Sequence, residues 1–351
     1  MKNRMNIVIA TDKFQPSGGM ERYIFDIAEG LLAKQITPKI FAMQISSEYE
    51  KIYPTHKIGK FPIAQFRYAV FNAKLQNRLP ENHKLIATSL IDNADILFCG
   101  GNHLAYLDAT NKTPTLKDKM MIKRSISAYK TAKKIVAHSQ RISNELQEFY
   151  KINPEKIITI YPPVNTENFY ILPNKKRQEL RKKFGFNDNE NILLFPSANH
   201  KLKGLDLIIE SIKSIQTDLH NPIKIAVCGK QPAIENDLII NLGFIKNMPE
   251  LYNAVDFTIL ASMYEAFGLV GIESVLCGTK TIFATTCGAT EVIQDVDGLF
   301  FDRNQLQTLN KSLLISDKLK SNNQHKINNP FAQILYNPSI ETHIDKLLEI
   351  I

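Results

Sequence analysis

The sequence predicts an α/β protein of two doubly wound domains, each a parallel sheet with helices on both faces. Three observations predict it. Short apolar, β-branched runs recur between longer helical patterns from end to end, the signature of parallel strands buried on both faces. The pattern appears twice, and the prolines of Tyr161-Pro162-Pro163-Val164-Asn165, followed by the basic Asn174-Lys175-Lys176-Arg177, separate the two copies. A length of 351 residues also accommodates two domains at about 150 residues each.

In the first half the strand runs fall at residues 6–10, 39–43, 95–99, 135–138 and 156–160. Between the first two, Ile24, Ile27, Leu31 and Leu32 mark one face of a helix. In the second half the runs fall at 191–196, 224–228, 256–261 and 280–284. At the end, Ile340, Ile344, Leu347 and Leu348 recur at helical spacing, so a terminal amphipathic helix is expected to dock on the protein. The expected domains are therefore 1–165, with a helix over 338–351 packing back on it, and 166–337. Two such sheets would bring the carboxyl ends of their strands to a shared cleft, where open parallel sheets bind ligands.

Composition narrows the class. With 44% hydrophobic and 22% charged residues the chain is neither disordered nor fibrous. No apolar stretch approaches the roughly 18 residues of a membrane span, and Asp12 and Lys13 interrupt the N-terminal run too early for a signal peptide, so a cytoplasmic protein is expected. Cys99, Cys228, Cys277 and Cys287 are scattered without C-x-x-C spacing, which reads as buried thiols rather than a zinc site. The net charge of +8 is uneven. Residues 1–165 hold 24 Lys and Arg against 14 Asp and Glu, and the remainder 19 against 21. Two segments concentrate the excess: 57–84, interleaved with Phe61, Phe66, Tyr68 and Phe71, and 112–134, with eight Lys or Arg against Asp118. Both suit an anionic membrane surface; solvated helix faces are the plainer reading. No zinc finger, RRM signature or helix-turn-helix supports nucleic acid as a partner.

Two motifs carry chemistry. Gly18-Gly19 follows the first strand and opens a helix, either a tight turn or a cradle where backbone N–H groups meet a phosphate. It matches neither G-x-G-x-x-G nor a Walker loop. The second motif is Glu265-Ala266-Phe267-Gly268-Leu269-Val270-Gly271-Ile272-Glu273-Ser274-Val275-Leu276-Cys277-Gly278. Glu265 falls in the loop after a strand, and Phe267, Gly268 and Leu269 present amides at a helix start, a second anion site. Glu265 can accept sugar hydroxyls, and Glu273, inside the helix, can take a ribose diol.

The Glu-x7-Glu motif, with Thr286-Cys287-Gly288-Ala289-Thr290-Glu291 and Asp297-Gly298-Leu299-Phe300 behind it, resembles the donor-site signature of family 4 retaining glycosyltransferases of GT-B fold. The interdomain segment 160–169, Lys203-Gly204-Leu205-Asp206 and Gly18-Gly19-Met20-Glu21-Arg22 extend the likeness over both halves. Within that family the chain is most similar to lipopolysaccharide core glucosyltransferases. The resemblance implies a metal-independent hexosyltransferase that moves glucose from UDP-glucose to a cell-envelope glycan or glycolipid, peripherally bound at the inner face of the plasma membrane. The nucleotide sugar is then a substrate, and no cofactor is implied. A donor such as GDP-mannose, an acceptor in capsule or exopolysaccharide synthesis, or a catalytically silent glycan- or membrane-binding scaffold are the alternatives.

Residue by residue, the resemblance implies that Glu265 contacts the donor sugar and Glu273 the ribose. The Phe267, Gly268 and Leu269 amides, with Gly18 or Gly19, would hold the diphosphate, and Lys203 would neutralise it as it leaves. The family commonly has Gly-Arg where this chain reads Ser197-Ala198, which leaves Lys201 as a substitute. Gly243 and Phe244 match the family's loop at the nucleotide base, or simply end a strand. His103, in Gly100-Gly101-Asn102-His103, would lie near the acceptor, or in solvent. No metal is implied, and Asp295-Val296-Asp297 reads as a turn.

Overall fold

The computed structural model describes residues 6–15, 19–59, 61, 66–88, 90–233 and 235–351. The chain divides into two compact units, unit 1 being Met1–Pro163 with Ser339–Ile351 and unit 2 Val164–Pro338.

Unit 1 contains β1 (Asn6–Phe14), α1 (Gly19–Ala33), β2 (Lys39–Ile45), β3 (Thr55–Lys57), α2 (Arg67–Gln76), β4 (His83–Ala87), β5 (Ile96–Cys99), α3 (His103–Ala109), α4 (Leu116–Thr131), β6 (Lys134–Ala137), α5 (Gln140–Tyr150) and β7 (Ile157–Thr159). Its described strands form one parallel sheet in the order β3-β2-β1-β4-β5-β6-β7. The order reverses between β1 and β4, where Ala10 pairs with Ala87, and a ligand crevice is expected beyond those strand ends.

Helix α1 buries Ile24, Ile27 and Leu31, but Leu32 is exposed, one position past the edge of the apolar stripe. Each fully buried aliphatic side chain here stabilises the unit by about 1.5–3 kcal/mol. The chain returns to unit 1 as α12 (Ile340–Ile350), which lies on α1. Gly30 permits this approach, since a Cβ there would sit 2.6 Å from Ile344 Cγ1. Burial holds the His343 imidazole down to about 4. In the neutral ring Nδ1 donates to Tyr161 O at 3.1 Å while Nε2 accepts from Tyr23 Oη at 2.9 Å, so α12 grips both α1 and the segment that leaves the unit.

Unit 2 contains α6 (Asn174–Lys183), β8 (Asn191–Ser197), α7 (His200–Lys203), α8 (Leu205–Ile215), β9 (Ile223–Gly229), β10 (Ile239–Gly243), α9 (Met248–Ala254), β11 (Phe257–Leu260), α10 (Leu269–Leu276), β12 (Lys280–Phe283) and α11 (Leu306–Ser321). Its described strands form a parallel sheet in the order β10-β9-β8-β11-β12. Again the order reverses beside the unit's first strand, between β8 and β11, where Leu193 pairs with Phe257. At the foot of β11 the buried Asp256 carboxylate takes Ile192 N–H at 2.8 Å, Arg181 Nη1 at 3.1 Å and Lys320 Nζ at 2.9 Å, tying α6 and α11 to the sheet.

Three strands have no counterpart among the sequence runs. Strand β3 is only Thr-His-Lys and mostly exposed. In β4 only Leu85, Ile86 and Ala87 are buried, directly after the basic segment 57–84, whose charge suggests a surface. Strand β10 is a half-exposed edge whose register shifts between Asn241 and Gly243. None of the four cysteines forms a disulfide, and all are buried. Among the described residues no helix is long and apolar enough to cross a membrane.

Candidate functional site

The unit 2 site is assembled where β8 and β11 end. After β8 the chain makes the short helix α7, whose first turn is capped by Asn199 Oδ1 accepting from Leu202 N–H at 3.2 Å. Gly204 then stops it with φ +79°, and a Cβ there would lie 2.2 Å from Ala261 O. Only glycine allows α7 to press on the exit of β11 this closely. Two backbone bonds lock the contact, Ala261 N–H to Lys203 O at 3.1 Å and Met263 N–H to Leu202 O at 2.8 Å. From this position Lys203 Nζ reaches Glu265 Oε2 at 2.6 Å, with both side chains about one-fifth exposed.

The loop carrying Glu265 is held from the other side. Gly288 N–H donates to Glu265 O at 3.1 Å and Ala289 N–H to Phe267 O at 2.6 Å, and Thr286 Oγ1 donates to Ser262 O at 2.6 Å. Thus the Thr-Cys-Gly segment is the shelf on which the glutamate loop rests. Phe267 is buried. Gly268, at φ +93°, turns the chain into α10, and a Cβ on it would meet Glu265 Cγ at 3.2 Å. The amides of Leu269 and Val270 open α10, where no intrahelical acceptor exists; Gly271 N–H is already committed to Gly268 O at 2.9 Å. An anion placed here would meet backbone N–H groups, a lysine and the positive end of the helix. Glu273 lies one turn on, half-buried, and accepts from Tyr252 Oη at 2.8 Å.

Lys203, Glu265, Phe267, Gly268 and Leu269 are thus brought together, with Glu273 beside them. Lys201 is exposed on α7. Gly243, at φ +63°, and Phe244, 85% exposed, end β10, three strand positions from β11 and so about 14 Å across the sheet. Gly18 lies outside the described residues, and Gly19 is an exposed residue opening α1 in unit 1. Arg303 was not signalled by any motif. Its Nε donates to Ala261 O at 2.9 Å, placing a guanidinium against the same strand end in a chain that has Ala198 where an arginine would be expected.

Unit 1 has its own crevice at the β1–β4 switch point, a cavity of about 370 Å³ lined by Asp12, Tyr68, Thr88, His103, Arg124 and others. His103 is the first residue of α3, capped by Asn102 Oδ1 accepting from Ala105 N–H at 3.2 Å. Its Nε2 lies 2.9 Å from Asp118 Oδ1. Hydrogen bonds from Thr115 Oγ1 and N–H, with His103 itself, hold the Asp118 carboxyl down to about 2, so a permanent carboxylate orients the imidazole. Tyr68 Oη donates to Asp12 Oδ2, and the Arg124 guanidinium stacks 4.6 Å over the Tyr68 ring. Burial, then the Asp12 charge, pushes the Tyr68 phenol up. No local pattern signals this trio, because Tyr68 and Arg124 sit inside the two basic segments.

Those segments divide. Lys112 donates to Tyr106 Oη, Lys133 pairs with Asp95 at 2.7 Å and Lys134 donates to Glu155 O at 2.9 Å. Lys117, Lys119, Lys123 and Lys130 remain exposed on α4 together with Leu116 and Ile126. The Asp295-Val296-Asp297 turn is internally used: Asp295 accepts from Leu299 and Phe300 N–H, and Asp297 pairs with Lys280 at 2.5 Å. Among the described residues no group of three or more His, Cys, Asp or Glu is placed to hold a metal.

The family described as "Glycosyl transferases group 1" matches residues 176–329, and that described as "Glycosyltransferase Family 4" matches 17–168. A "Probable transglycosylase" of Burkholderia thailandensis is 34% identical, the match covering 99% of this chain and 96% of its own. The lipopolysaccharide glucosyltransferase WaaG of Escherichia coli is 22% identical over 84% of each chain. Among solved structures, that of WaaG superposes with a TM-score of 0.77 at 20% identity, covering 98% of this chain and 99% of its own. HepE of Anabaena, solved with UDP and glucose, gives 0.74 at 17% identity, covering 99% of each.

Proposed function

This chain belongs to the family 4, group 1 glycosyltransferases of GT-B fold, and we propose that it is a retaining, metal-independent hexosyltransferase using UDP-glucose. The observation that carries the reading is the Lys203–Glu265 pair at the head of α10. In this reading the diphosphate lies on the Gly268 and Leu269 amides, and Lys203 shifts from Glu265 to the phosphate. Glu265, released, accepts hydroxyls of the sugar, while Glu273 takes the ribose diol and Phe244 lines the base.

The chemistry then needs little acid or base from the protein. The acceptor oxygen bonds to the anomeric carbon on the face from which the diphosphate departs, the carbon–oxygen bond to phosphate breaks, and the acceptor proton passes to the leaving phosphate. Compensating charge at the departing group, from Lys203 and the helix amides, is what lowers the barrier. Arg303, already against Ala261 O, and Lys201 add positive charge where the usual arginine is missing.

The acceptor in this proposal is a cell-envelope glycan or glycolipid such as lipopolysaccharide core. Its hydroxyl-bearing end would enter the unit 1 cavity beside His103, Asp12 and Tyr68. The four exposed lysines of α4, with Leu116 and Ile126 among them, support peripheral attachment to the inner face of the plasma membrane, each charge contributing about 1 kcal/mol near an anionic surface. The experiment is nucleoside diphosphate release from a panel of UDP-, GDP- and ADP-sugars, wild type beside Glu265→Ala. Turnover of UDP-glucose that is lost in the variant supports the reading. Turnover of a GDP- or ADP-sugar instead replaces the donor, and an equal rate in the variant overturns the site.

A further inference from the structure

We propose that Tyr252 is a positioning residue for the nucleotide: its phenol fixes the Glu273 carboxylate in the orientation that captures a ribose diol. The inference rests on the reading of Glu273 given above.

Tyr252 lies on α9 and is wholly buried, in a cluster with Leu194, Ala226, Leu251 and Cys277. A phenol in such surroundings is costly unless its hydroxyl is bonded, and phenylalanine would fill the same space without that requirement. Among the described residues its hydrogen-bond partner is Glu273 Oε2 at 2.8 Å. Burial, reinforced by the Glu273 charge, raises the phenol well above its ordinary range, so Tyr252 is the donor and the carboxylate the acceptor.

The surrounding bonds make this contact a rigid one. Thr279 Oγ1 donates to Tyr252 O at 2.7 Å, Thr279 N–H donates to Ser274 O at 3.0 Å, and Ser274 Oγ pairs with Thr258 Oγ1 at 2.7 Å. Helix α9, helix α10 and strand β11 are therefore knitted together just behind Glu273. On another face α10 is pressed to β12 through Gly271, where a Cβ would lie 2.7 Å from Phe283 Cε2. Packing thus fixes the helix, and the phenol holds the half-exposed Glu273 side chain on it. A half-exposed glutamate otherwise loses more rotamer freedom on binding than most residues, and holding it beforehand removes that cost. Because Tyr252 has no exposed surface, it reaches a ligand only through Glu273.

The test is equilibrium binding of UDP and of 2′,3′-dideoxyuridine diphosphate to the full chain, as wild type, Tyr252→Phe, Glu273→Gln and the double variant. Wild type should prefer UDP, and Glu273→Gln should abolish the preference. Tyr252→Phe should cut it about 3- to 10-fold, the size of one lost hydrogen bond, while its affinity for the dideoxy nucleotide stays at the wild-type value. The double variant should match Glu273→Gln within about twofold, since coupled residues are not additive. If Tyr252→Phe retains the full preference while Glu273→Gln loses it, the positioning role is wrong and Glu273 still binds ribose. If Tyr252→Phe weakens both nucleotides equally, or fails to bind either, Tyr252 is merely structural and the inference falls. If Glu273→Gln keeps the preference, the reading of Glu273 falls and takes this inference with it.

Discussion

The two switch-point crevices gather their side chains by different means. In unit 2, Glu265, Phe267, Gly268, Leu269 and Glu273 come from one strand–loop–helix segment, and only Lys203 and the shelf at Thr286–Ala289 arrive from elsewhere. In unit 1, Asp12, Tyr68, His103 and Arg124 come from four separate elements that the sheet order alone brings together. A site built on backbone amides must be contiguous, because a helix start supplies its donors in sequence order. A side-chain pocket carries no such constraint, which leaves its specificity open to change without disturbing the other unit.

The largest effect that would break this comparison is on catalysis. Lys203→Ala and Glu265→Ala should each lower kcat by about 10²- to 10³-fold, the range for removing a group that stabilises developing charge, with the acceptor KM little altered. Steady-state kinetics checks both; a change confined to the acceptor KM would move the donor site out of unit 2.

Next in size is Gly268→Ala. At φ +93° with Glu265 Cγ 3.2 Å from the new methyl, the substitution should cost about 1–3 kcal/mol of strain and weaken UDP binding, measured by denaturant unfolding and titration calorimetry.

Buried acids sharpen the contrast further. Burial pushes the Asp26 carboxyl on α1 from 3.8 up to about 6, against the pull of Arg22 at 2.8 Å. The native state therefore keeps a proton that the unfolded chain has released, so Asp26 costs stability above about pH 6 and costs nothing below about pH 4. Asp26→Asn should raise stability at pH 7.5 by about 1–2 kcal/mol and leave it unchanged at pH 4. Asp256 in unit 2 behaves oppositely: burial raises its carboxyl, but Lys326, Arg181 and Lys320 outweigh that and hold it below the usual range. Its contribution is present above the unfolded carboxylate range and is lost as pH falls through it. Thermal unfolding from about pH 2 to pH 8, followed for wild type, Asp26→Asn and Asp256→Asn, reads both signs.

The smallest expected effect is Tyr68→Phe. Removing the donor to Asp12 should raise the acceptor KM a few-fold, equivalent to about 1 kcal/mol, with the donor KM unchanged. A shifted donor KM would mean the two crevices are not separable in this way.

Much of the fold was legible because central parallel strands are continuous apolar runs: β1, β5, β8 and β11 are buried almost throughout. The edge strands β3 and β10 lack that signal because none of their residues is buried, and β4 is disguised by His83 and Lys84. The unit 2 motif was legible for the reason that makes it contiguous. Arg303 and Tyr252 were not, since each meets the site through a side-chain hydrogen bond to a residue distant in sequence, and no local pattern encodes such a contact. The same holds for Tyr68 and Arg124, whose surroundings suggested a surface.

The measurement that tests the central claim most directly is a structure of the full chain with UDP bound. The account predicts the diphosphate on the Gly268 and Leu269 amides, with Lys203 Nζ moved from Glu265 to a phosphate oxygen and both ribose hydroxyls on Glu273. UDP bound elsewhere, with the 2.6 Å Lys203–Glu265 contact intact, would contradict it.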